Sequence, residues 1–89
     1  MNKDFIKALI QKYGVETQVL VAVEEMSELQ KALLKNINRN SKNLTEVKEE
    51  MVDVSIMLEQ LRYIYKISNR EFSTIKKNKI ERTKKRLND

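Results

Sequence analysis

Val23-Glu24-Glu25-Met26-Ser27-Glu28-Leu29 and Lys48-Glu49-Glu50-Met51-Val52-Asp53-Val54 write one acidic word twice, Glu-Glu-x-x-acid. On a helix turning about 100° per residue, Glu24, Glu28 and Glu25 fall at about 0°, 40° and 100°, and Glu49, Asp53 and Glu50 fall at the same three angles. Each helix therefore carries a narrow stripe of carboxylates. Two such stripes repel one another unless solvent or a cation lies between them. The fold that places them, and the ion that relieves them, are the two questions the sequence poses.

Composition answers the first in outline. The chain has 89 residues, no Pro and a single Gly, with 40% hydrophobic residues, which favours one domain of long helices over short strands joined by turns. We expect an all-α antiparallel helical bundle of about four helices, completed by oligomerisation, because so small a domain buries only about two-thirds of its unfolded surface. The absence of Cys and His removes disulfides, thiolate sites and imidazole ligands, so any metal must be held by oxygen. No run approaches the roughly 20 apolar residues that span a bilayer, and the amino terminus lacks a signal-like apolar region, so a cytoplasmic location without membrane contact is expected.

Working outward from the acidic words, the flanking residues set the helix limits. A first helix is expected over about Asn2 to Tyr13, stopped by Gly14, and a second over about Val15 to Ile37. Val15, Val19, Ala22, Met26, Leu29 and Leu33 share an arc nearly opposite the acids and read as core. Asn38-Arg39-Asn40-Ser41-Lys42-Asn43 reads as a reversing loop, which makes the two acidic helices antiparallel neighbours. Asn43 and Glu46 have the spacing of a capping box, and the third helix is expected to reach about Ile67. That helix is apolar on nearly all sides: one arc holds Val47, Met51, Val54, Leu58, Leu61 and Tyr65, and another holds Val52, Ile56 and Tyr63. A second copy of the chain is the economical cover for it. Ser68 to Glu71 forms a further capping box that opens a last helix to near Leu87, with Phe72 and Ile75 docking on the core.

Charge is unevenly placed. Of the 18 basic and 13 acidic residues, nine basic and ten acidic lie in residues 1–65, and nine basic and three acidic in residues 66–89. The last helix is thus a cationic face beyond its first turns. For any single Glu or Lys the plain reading is a good helix former on a solvated face. The pairs Glu25 with Glu28 and Glu50 with Asp53 go further, since convergence of carboxylates alone suits Mg²⁺, or Mn²⁺, and a phosphate beyond it.

These residues resemble the MazG-like all-α nucleoside triphosphate pyrophosphohydrolases, whose signature is Glu-x-x-Glu, 21 intervening residues here, then Glu-x-x-Asp. The resemblance continues through Ile56-Met57-Leu58-Glu59-Gln60-Leu61 and Lys79-Ile80-Glu81-Arg82-Thr83. It implies hydrolysis of a (deoxy)nucleoside triphosphate to the monophosphate and pyrophosphate, with Glu25, Glu28, Glu50 and Asp53 as Mg²⁺ ligands and a dimer or dimer of dimers as the assembly. Glu24 and Glu49 are then supporting groups, a base, or salt-bridged surface acids. Lys79 and Arg82 suit the outer phosphates, with Lys76 and Asn78 beside them. Gln18 faces either the base of the nucleotide or solvent. Two competing functions are a nucleic-acid-binding helical module built on the basic last helix, which leaves the acid pairs unexplained, and a non-catalytic helical oligomer.

Overall fold

The computed structural model describes residues 1–39 and 42–89, so Asn40 and Ser41 of the expected loop lie outside the described residues. Among the described residues there are four helices and no strand: α1 (Lys3–Tyr13), α2 (Val15–Asn38), α3 (Leu44–Ile64) and α4 (Asn69–Asn88). None is long and apolar enough to cross a membrane.

Local chemistry sets most of the ends. Asn2 caps α1 by accepting the Asp4 N–H at 2.7 Å. Gly14 takes φ 89° and ψ 155° between α1 and α2, a backbone state open to glycine and strained for other residues. Ser68 opens α4 by accepting the Glu71 N–H at 3.0 Å, half of the expected capping box. The box at Asn43 does not form. Its side chain instead ties the ends of α2 and α3 together, with Nδ2 donating to the Ala32 carbonyl at 3.2 Å and to Glu46 Oε2 at 3.3 Å, while Oδ1 accepts from Asn36 at 3.0 Å.

The third helix ends at Ile64, short of the expected Ile67. Its last carbonyls are closed by a Schellman turn: Lys66 donates to Tyr63 and Ile67 to Arg62, with Lys66 left-handed at φ 57°. Glycine usually holds that position, so nothing in the sequence announces the stop.

The body of the fold is the antiparallel pair α2 and α3. Moving two turns along α2, from Gln18 to Glu25, is answered by two turns back along α3, from Gln60 to Asp53. The first pair is joined by a 2.7 Å hydrogen bond and the second by a hydrogen bond between carboxyl groups. The seam on α2 runs through Gln18, Ala22, Glu25, Leu29, Ala32 and Asn36, and on α3 through Asn43, Val47, Glu50, Val54, Met57 and Leu61, every one of them buried or half-buried. Alternating steps of four and three residues are those of a two-helix seam.

This seam corrects the expected core of α2. Ala22 is buried, but Val15 and Leu33 are 49% and 42% exposed, and the acids, placed opposite the core by the apolar count, lie along the contact itself. The cause is size: Ala22 and Ala32, both 0% exposed, let two backbones approach where Val or Leu would hold them apart. On α3, Met51, Val52, Ile56 and Leu58 are left exposed. α1 packs against both long helices, whereas α4 buries no residue and packs against none of the other helices. Phe72 reaches back to Arg62, whose guanidinium lies 4.1 Å from its ring, and Ile75 stays exposed rather than docked.

Candidate metal centre

The two acidic words meet because the seam carries one acid from each. Glu25 of α2 and Glu50 and Asp53 of α3 bring one carboxylate oxygen each to within 4.8 Å of one another. Glu25 and Glu50 are half-buried and Asp53 is exposed, so the cluster has a closed side along the seam and an open side to solvent.

Its electrostatics follow from that position. Burial raises the pKa of Glu25 above the ordinary 4.5, and the charges of Asp53, Glu24 and Glu28, with a hydrogen bond to Asp53, raise it further. Burial also leads the upward shift of Glu50, followed by the charges of Asp53, Glu25, Glu28 and Glu46. Both carboxyls therefore hold their protons to higher pH than a solvated Glu does. Oε2 of Glu50 is in addition sealed from solvent without a hydrogen-bond partner. A buried acceptor normally has one, and an unmet one costs free energy.

The donor set is carboxylate oxygen alone, the kind that suits hard divalent cations with open positions for water or phosphate. A cation between these three groups would relieve the repulsion, so the residues present fit such an ion. Glu28 lies at the edge of the cluster: its charge reaches both Glu25 and Glu50, while its own carboxylate is 3.5 Å from Lys31 Nζ. Glu24 and Glu49 are exposed on the flanks.

The other predicted site residues are not gathered here. Lys76, Asn78, Lys79 and Arg82 are exposed on α4, which packs on neither acidic helix. Gln18 is buried, and its Nε2 donates to Gln60 Oε1 at 2.7 Å, so within this chain it reads as a seam residue rather than a contact for a base. Two residues had no role assigned from the sequence. Gln60 is 3% exposed, and its signal was available as a polar residue two turns from Asp53, opposite another glutamine. Arg62 joins α3 to α4 by donating to Asn69 Oδ1 at 2.6 Å, and nothing in its spacing marks it. No protein-family model, curated protein or solved structure matches this chain.

Proposed function

We propose that this chain is a Mg²⁺-dependent nucleoside triphosphate pyrophosphohydrolase, MazG-like in kind, working as a homo-oligomer to cleanse or adjust a nucleotide pool. The observation that carries the reading is the meeting of Glu25, Glu50 and Asp53, from the two words that carry the resemblance. Glu25, Glu50 and Asp53 would hold the ion, with Glu28 beside them. When bound, Mg²⁺ neutralises phosphate charge and makes water more acidic.

The chain's own groups do the rest. Glu24 and Glu49, exposed on the flanks, would accept a proton from water or orient it, where they are more than surface acids. Lys79 and Arg82 bind the outer phosphates and stabilise the charge that develops on departing pyrophosphate, with Lys76 and Asn78 adding contacts. Since α4 meets its own chain at its first turns, through Arg62, and not along the face that carries Lys79 and Arg82, those cations reach an acid cluster most directly when α4 meets a second copy. Exposed Met51, Val52, Ile56 and Leu58 on α3 supply the apolar surface for that assembly.

Product analysis by phosphorus NMR tests the reaction. A panel of nucleoside triphosphates with Mg²⁺ should give monophosphate and pyrophosphate, and chelation should stop turnover. Nucleoside diphosphate with orthophosphate as the first products, or turnover indifferent to chelation, would refute the proposal.

A further inference from the structure

We propose that the cavity at the root of α4 is a binding site for a small phosphate monoester with an apolar or aromatic body, separate from the acidic centre. The cavity, about 590 Å³, lies where α1, the end of α3 and the start of α4 come together. Arg62, which lines it, is nine residues beyond Asp53 on α3, roughly 13 Å along the helix axis.

Its charge is strongly one-sided. Lys3, Arg62 and Lys66 line it against a single acid, Glu59, and Glu59 is already paired with the terminal ammonium at 3.0 Å. Three cations facing one neutralised carboxylate match a dianion better than a monoanion. They are not there to satisfy the end of α3, because the carbonyls of Leu61, Arg62 and Tyr63 accept backbone N–H groups from Tyr65, Ile67 and Lys66. Arg62 is fixed by Asn69 at 2.6 Å and by the Phe72 ring at 4.1 Å, so its charge is held at the cavity. The first turn of α4, at Ser68 and Asn69, also opens on the cavity and adds the positive end of a helix.

The rest of the lining sets the body of the ligand. Ile6, Tyr63 and Ile67 give an apolar side, and the volume is that of a small-molecule site rather than of a bare phosphate. This assignment does not rest on the pyrophosphohydrolase reading, since it needs neither metal nor turnover.

An amide-resolved NMR titration in chelator, free of divalent metal, tests it with AMP, adenosine and inorganic phosphate as probes. AMP should shift the amides of Lys3, Tyr63, Lys66, Ile67 and Asn69. Inorganic phosphate should shift the same set more weakly, and adenosine should bind least. The exposed pair Lys3→Gln and Lys66→Asn, the latter chosen because Asn tolerates the left-handed conformation, should weaken AMP at least about tenfold. Glu50→Gln should leave AMP binding unchanged, which separates this site from the acidic centre. The assignment fails if those amides do not move at about 10 mM AMP, if the shifts centre on Glu25 and Asp53, or if the double variant binds as well as the parent. Phosphate binding as tightly as AMP would overturn the monoester, and adenosine binding as tightly would overturn the anion.

Discussion

Replacing Gln60 by Leu takes away the acceptor of a 2.7 Å hydrogen bond and leaves the Gln18 amide, 6% exposed, with its donor facing an apolar side chain. The weak 3.5 Å contact from Gln60 to the Met57 sulfur goes too. A buried polar group stripped of its partner costs about 1–3 kcal/mol, and in a domain this small each kcal/mol moves Tm by roughly 4–8 °C. Removing both amides, as Gln18→Leu with Gln60→Leu, leaves no donor unmet and is expected to be close to neutral. The coupling should therefore equal the two single losses taken together, about 2–6 kcal/mol, with opposite sign. Urea titration at fixed protein concentration measures all four proteins. If Gln60→Leu is as stable as the parent, or if the double variant is as unstable as the two singles added, the buried pair is not the polar lock that sets the register of α2 on α3.

Glu50→Gln should act in opposite directions on two quantities: Mg²⁺ affinity falls, by at least about tenfold, while the metal-free fold becomes more stable because one of three crowded carboxylates is gone. Calorimetry gives both, and unchanged Mg²⁺ binding would remove Glu50 from the centre. The pH dependence carries the same sign. Folded Glu25 and Glu50 titrate above the ordinary value of 4.5, so the folded chain binds more protons between that value and the raised ones. In chelator, stability should be greatest below the ordinary value and be lost as pH rises through the raised pKa values; a Tm that climbs over that range contradicts the cluster. Ser68→Ala removes the cap of a helix that buries nothing, so about 1 kcal/mol should appear as roughly fivefold faster amide exchange early in α4 and nowhere in α2 or α3.

Much of this arrangement was legible in the residues because it rests on local chemistry. Helix content, the Gly14 break, the Ser68 cap and the antiparallel acid stripes follow from periodicity and turn residues, which act within a few positions. The seam was not legible for the opposite reason. Counting apolar residues assigned Val15 and Leu33 to the core, but both are exposed; closeness of approach decides a two-helix contact, and Ala22 and Ala32 allow more of it. Glu25 was consequently read as lying opposite the core of α2, whereas it is half-buried on the seam, as Glu50 is on α3, and that position raises their pKa values. Lys66 hid the end of α3 in a similar way, by taking a left-handed conformation that sequence rules assign to glycine or Asn. The cations of α4 were legible as a face, whereas their distance from the acids was not, because it depends on whether α4 finds anything in its own chain to pack against.

That last point bears on assembly. The chain exposes 7527 Å², where a compact chain of 10.6 kDa exposes roughly 5,500 Å². Its radius of gyration is 16.2 Å, against about 12 Å for a compact domain of this length. The excess, on the order of 2,000 Å² per chain, is larger than the roughly 800 Å² that each partner gives up in a stable interface of ordinary size. It includes exposed Met51, Val52, Ile56 and Leu58 on α3, and Phe72, Ile75 and Ile80 on α4. Light scattering at micromolar concentration should therefore return the mass of a dimer or tetramer. Met51→Lys with Leu58→Lys, on a face that the seam does not use, should shift that mass toward the monomer while α2 and α3 stay helical. A parent chain that is monomeric at that concentration would refute the assembly, and with it the delivery of Lys79 and Arg82 to a neighbour's acids, but it would leave the meeting of Glu25, Glu50 and Asp53 standing.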